Sequence, residues 1–321
     1  MRATNLRKGC VKMIRKILIS TSLCLSLACG GEATTAPAAA TTTPGTSPQY
    51  QIVLHRPLSV GDRFRVQVEA KQHVTGAIET SDAQQAASKD VDKNMELSLV
   101  GLLTIREVDE VGRALSALLD IEQFKSGDKE VLPTGTRIDA VRGAGKFSMM
   151  VNGTPRPDVQ KQLELAFPLH RPGSPLGDEL FGSKEPRQVG DTWTFSKSAV
   201  SQELLDEGYV VRETAIEGNT RLQGVTRVNG ADCLELTSKM HADQATVGEQ
   251  WDMQGVGAGK LDVTIKLVVP VDTKLPLAME EATSTGAFQG ALQDGTGADK
   301  VGLTLTRYRR ALYTKMAETP K

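Results

Sequence analysis

From Met95 onward the side chains alternate. Met95, Leu97, Leu99, Gly101, Leu103 and Ile105 take one face, while Glu96, Ser98, Thr104 and Arg106 take the other. A period of two belongs to a half-buried strand and excludes a helix. Val111-Gly112 then turns the chain, and Leu115, Ala117, Leu119 and Ile121 alternate again. Leu261, Val263, Ile265, Leu267 and Val269 do the same opposite Asp262, Thr264 and Lys266, and Val301, Leu303 and Leu305 open a last strand toward Tyr313. Asn229-Gly230 is a strong two-residue hairpin signal. These segments predict antiparallel sheet. One helix is expected, with Pro157 in its first turn and Val159, Leu163, Ala166 and Phe167 on one face. Pro168, Pro172, Pro175 and Pro186 mark a crossover after it.

Two strings occur twice. Val60-Gly61-Asp62 precedes Arg63-Phe64-Arg65-Val66, and Val189-Gly190-Asp191 precedes Thr192-Trp193-Thr194-Phe195. Gly143-Ala144-Gly145-Lys146 returns as Gly257-Ala258-Gly259-Lys260. The spacing between the two motifs is 82 residues in the first half and 67 in the second, and the polar stretch 81–94 in the first half accommodates the difference. The expected fold class is therefore mainly β: antiparallel curled sheets or a partial barrel from two pseudo-repeated halves, 50–181 and 182–321, with one short helix.

The N-terminal part predicts an address. Arg15 and Lys16 precede an uncharged apolar run, Ile17 to Leu27, and the small residue Ala28. About eleven residues are too few to span a bilayer, which needs about 20, so 1–28 reads as a signal peptide. Residues 1–12 read as an extension ahead of a start at Met13. Leu25-Ser26-Leu27-Ala28-Cys29 resembles the lipobox of bacterial lipoproteins, which implies lipidation of Cys29 and anchoring in a membrane; Gly30 after the cysteine implies the outer membrane of a Gram-negative cell. Stable anchoring takes two or more acyl chains, and the resemblance implies three. Residues 31–49 are Ala, Thr, Pro and Gly with one charge, a tether without a core-forming face.

Charge narrows the partners. The chain holds 38 Lys/Arg and 39 Asp/Glu; six of the cations and none of the anions lie in 1–28, leaving 32 against 39 and a mature net charge of −7. This acidic balance disfavours nucleic acid. With Cys29 lipidated, Cys233 has no disulfide partner and reads as a small core residue.

The repeated Gly-Ala-Gly-Lys fails as a nucleotide loop. Ala140 and Gln254 stand where the first glycine is required, and Phe147 and Leu261 stand where Ser or Thr is required. His55, His73, His170 and His241 have no neighbouring His or Cys at metal-ligand spacing. Asp294 and Asp299 sit in a glycine-rich stretch too poor in oxygen ligands for calcium. No metal, cofactor or nucleotide is expected, and no catalytic cluster is found. Trp193, beside a turn, is the candidate for ligand or partner binding, with core packing as the simpler reading.

Val189-Gly190-Asp191-Thr192-Trp193, the hairpin 221–236 and the glycine step Gly255 to Gly259 resemble a family of uncharacterised bacterial envelope lipoproteins. The resemblance implies a β-rich envelope domain. The expected function is a lipid-anchored, non-enzymatic binding or scaffold module, with a membrane contact through the anchor and an envelope protein or apolar ligand as partner. The alternative is a carrier of a lipid or other apolar ligand in a half-barrel cavity.

Overall fold

The computed structural model describes residues 47–79, 88–143, 146–167, 174–206, 209–247, 259–293 and 298–316. The signal segment, Cys29 and the tether up to residue 46 lie outside these residues, as do His170 and Trp251. The first half gives β1 (Arg63–Glu79), β2 (Ser88–Val108), β3 (Ala114–Ser126), β4 (Lys129–Leu132), β5 (Arg137–Gly143), β6 (Lys146–Val151), β7 (Thr154–Pro155) and α1 (Pro157–Ala166). After α2 (Gly177–Phe181), the second half gives β8 (Thr192–Trp193), α3 (Lys197–Asp206), β9 (Tyr209–Val210), β10 (Ile216–Val228), β11 (Ala231–Val247), β12 (Gly259–Pro270), β13 (Met279–Gln293) and β14 (Ala298–Lys315).

The strands make one curled, unclosed antiparallel sheet in the order β7-β6-β5-β3-β2-β1-β14-β13-β12-β11-β10-β8, with β4 added to β3 and β9 to β11. The two halves are therefore continuous. β1 pairs with β14 from Phe64↔Lys315 to Glu79↔Lys300, placing the first and last strands together at the centre. Both open edges are blunt: β7 is two residues ending in Pro155, and β8 is two residues. Short edges and proline limit edge-to-edge pairing.

Three α-helices and one 3-10 turn, Glu213–Ala215, rather than the single helix expected, lie among the described residues. α1 forms where predicted, with Pro157 at its start and Val159, Leu163 and Ala166 buried. α3 escaped the periodicity reading because it buries only Val200 and Leu204, one turn apart. Its start is nonetheless marked, since the Ser196 hydroxyl accepts the Ala199 N–H at 3.3 Å, as helix-capping serines do. α2 follows the proline-rich crossover and is a single turn.

The Val-Gly-Asp repeat is a repeat in three dimensions. Gly61 has φ +92° and Gly190 has φ +96°, a conformation glycine adopts without strain. The Asp62 N–H donates to the Ser59 carbonyl and the Asp191 N–H to that of Gln188, both at 3.0 Å. Each aspartate carboxylate then accepts the N–H at the start of its own turn, Ser59 at 2.8 Å and Gln188 at 2.9 Å. Each glycine N–H also donates to the next strand, Gly61 to Ile105 and Gly190 to Leu222, and those residues donate back to Asp62 and Asp191. Phe64 and Trp193 thus hold equivalent places, 4% and 7% exposed. Of the two Gly-Ala-Gly-Lys strings, the lysines stand alike, Lys146 first in β6 and Lys260 second in β12, while Ala144-Gly145 and Gly257-Ala258 lie outside the described residues.

Other turn signals hold. Asn229 and Gly230 both have positive φ, +50° and +83°, the requirement of a two-residue hairpin turn. Cys233 is fully buried, and burial pushes its thiol pKa up, as suits an inert core residue.

Three apolar clusters fill the concave side. The first joins β1, β2, β3, β5 and β6 under α1, with Leu99, Phe124 and Leu163 among its members. The second lies under α2 and α3 against β11, β12 and β14. The third gathers Ile52, Leu54, Trp193, Leu222 and Leu236. Residues 50–58 form a strap across one end of the sheet. Tyr50 exchanges two hydrogen bonds with Arg187, the Leu54 N–H donates to Asp178 Oδ1 at 2.5 Å, Arg56 Nη2 donates to the Pro270 carbonyl at 2.7 Å, and the Leu58 N–H donates to the Gly112 carbonyl at 2.8 Å.

Candidate functional site: a cavity with buried arginines

The second cluster is incompletely filled. Leu180 and Phe181 of α2 and Val200 and Leu204 of α3 roof a cavity of about 50 Å³. Its floor is the concave face of the sheet, where Met240, Leu261, Val263 and Ile265 are apolar. The polar groups that reach it are Glu203, Tyr209, Ser238, Ser284 and Arg307. A mostly apolar cavity with a few converging polar groups is the usual form of a small-molecule site. Its volume suits a head group or the end of a chain and is below that of a whole lipid.

β14 explains how an arginine comes to lie there. Strand alternation puts Leu305, Arg307, Arg309 and Ala311 on one face. Leu305 belongs to the second cluster and Ala311 to the first, so the two arginines occupy the seam between them. Arg307 stands opposite Gln72 of β1 and Ser284 of β13; Arg309 stands opposite Ala70 and Ala282, whose small side chains leave room for a guanidinium. Arg307 is 3% exposed and Arg309 1%. Arg307 Nε donates to Gln72 Oε1 at 3.1 Å.

Arg309 has less company. Tyr313, two pairs further along the same face, shares a side-chain hydrogen bond with it, yet its Nε and Nη1 have no hydrogen-bond partner among the described residues. Burial is the main reason that its pKa falls to about 10. Burial likewise raises the Tyr313 hydroxyl pKa and lifts the Glu280 carboxyl to about 7. Glu280 faces Leu267 and Ala311 across the neighbouring strands. Arg310, on the opposite face, approaches Glu281 at 4.0 Å, and Glu281 also receives Lys266 at 2.5 Å.

The residues singled out in the sequence fall elsewhere. Trp193 is enclosed in the third cluster, its indole N–H donates to the Phe181 carbonyl at 3.0 Å, and Arg187 lies over its ring at 5.4 Å. It does not line the cavity. Cys29 is outside the described residues. Arg307 and Arg309 were overlooked, although their signal was present: the alternation begun at Leu303 and Leu305 continues inward through two cations.

A separate polar group lies on the outer surface. His241 Nδ1 is 2.8 Å from Asp262 and Nε2 is 3.4 Å from Asp243, with Lys260 3.6 Å from the same Asp243. The hydrogen bond to Asp262 is the main cause that raises the His241 pKa above its usual 6.5. We expect an NMR titration to give a His241 pKa above that of a free imidazole and Asp262→Asn to bring it down. Because the folded pKa is the raised one, the stabilising contribution is complete below about 6.5 and fades as the pH climbs through the folded value. An unshifted His241 would refute the pairing.

No family model matches the chain, and no curated protein matches it. Among solved structures it is similar to a DUF1329 family protein from Desulfovibrio piger, at 12% identity over 77% of this chain and 83% of that one, with a TM-score of 0.18. A likeness of that size has no weight for function.

Proposed function

We propose that this chain is a non-enzymatic binding module of the cell envelope, held to a membrane through lipid on Cys29, and that its ligand site is the cavity beneath α2 and α3. The carrying observation is the cavity itself: apolar walls with one buried arginine at the floor. Among the described residues, the lining contains no histidine and no cysteine.

A second reading is a carrier that sequesters a whole lipid. The curled sheet favours it, because its concave face is apolar. The helices count against it, since α1 and α3 pack their own apolar residues into the space a long chain would use.

Native mass spectrometry of the protein released from its own envelope distinguishes these. A discrete added mass of a few hundred daltons or less, lost on denaturation and lost in a Val200→Trp variant that fills the cavity, is the expected result. A lipid-sized mass would favour the carrier. A bare mass from native and variant alike would remove the cavity as a ligand site.

A further inference from the structure

We propose that Arg307 and Arg309 form a buried anion site, which takes the carboxylate or phosphate head group of an amphiphile whose apolar end lies in the cavity. This rests on reading the cavity as the ligand site. The argument begins with cost. A buried cation without a charge partner is costly, and stable folds compensate such groups. Arg309 is 1% exposed with two N–H positions unpartnered among the described residues. Ala70 and Ala282 stand on either side of it, so its cross-strand neighbours supply no side-chain polar atom.

Position supplies the second part. Residues two apart on one strand face are about 7 Å apart. Arg307 borders the cavity, and Arg309 lies one step further along the same strand face, toward the first cluster. Two guanidiniums at that spacing offer forked, charge-assisted donors to an anion with two or three oxygens. Among the described residues, the other charged or titratable groups on this face are Lys93 of β2, Glu203 of α3, Tyr209 of β9, Glu280 of β13 and Tyr313 of β14. When Glu280 is protonated, Glu203 is the one carboxylate among these described groups, set against two guanidiniums and Lys93, so the balance is positive.

The test uses the full chain carrying Cys29→Ala, which removes the lipid acceptor, and isothermal titration at pH 6.5 with octanoate, 1-octanol and inorganic phosphate. Octanoate is expected to bind at least tenfold more tightly than octanol. Arg309→Met is expected to erase that difference while leaving the thermal midpoint unchanged or higher, because it removes an uncompensated charge. Arg309→Lys, which keeps the charge and loses the fork, is expected to fall between. Octanol binding as tightly as octanoate would overturn the anion site and leave the cavity standing. Phosphate binding that needs Arg309, without any octanol binding, would support the anion site with a free anion as its source and overturn the cavity reading. Octanoate affinity unchanged in both Arg309 variants, or no binding of octanoate and phosphate at all, would overturn the proposal.

Discussion

Leu163→Ala is expected to lower the unfolding free energy by about 3 kcal/mol, within the range seen when a fully buried leucine is truncated. Leu163 is 1% exposed and is the residue through which α1 plugs the first cluster. Leu163 does not line the cavity beneath α2 and α3, so truncation leaves a separate void. Leu204 of α3 is 7% exposed and already borders the cavity. Truncating it loses fewer contacts, and about 2 kcal/mol is expected. The two variants should also part in binding. Leu204→Ala widens the cavity and should raise its affinity for a small apolar probe such as octanol, whereas Leu163→Ala should leave that affinity alone. Urea unfolding and probe titration measure both. Equal binding in the two variants would detach the cavity from α3.

The second large effect depends on pH. Glu280 has an ordinary carboxyl pKa of 4.5 when unfolded and about 7 when folded, because burial disfavours the charged form. The folded state then holds its proton over a range where the unfolded state has lost it. Stability from this group is complete below about 4.5, declines as the pH rises from 4.5 to 7, and stays low above that. The full shift corresponds to about 3 kcal/mol, reduced because the residue as a whole is only partly buried. Glu280→Gln should therefore match the native protein near pH 4 and exceed it by about 1–3 kcal/mol at pH 8. The same decline with pH in Glu280→Gln and native protein would show that Glu280 is not the group responsible.

Local rules carried much of the fold. Alternation identified β2, β3 and β12, and the glycine turns at Gly61 and Gly190 were visible as a repeated tripeptide because a turn is set by a few neighbouring residues. Pairing was not visible in the same way. That β1 lies against β14 depends on contacts more than two hundred residues apart, and a period of two says which face a residue takes without naming its neighbour. α3 was missed because a helix laid on a sheet needs few apolar residues, and Val200 and Leu204 are too short a pattern to stand out. The site was the least legible part. Charged residues on a strand read as solvent-facing by default, so Arg307 and Arg309 blend with the exposed charges around them, whereas Trp193 takes the core place that its simpler reading gives it.

The pairing of β1 with β14 also has a consequence in time. The ribosome makes β1 first of the fourteen strands and β14 last of them. Until residues 298–315 exist, β1 has β2 on one side and a bare row of amides and carbonyls on the other. Long-range pairing of this kind is slow, and unpaired edges invite wrong partners. The most exposed moment in this protein's life is thus the interval before its last eighteen strand residues arrive, when its future centre is still an outer edge.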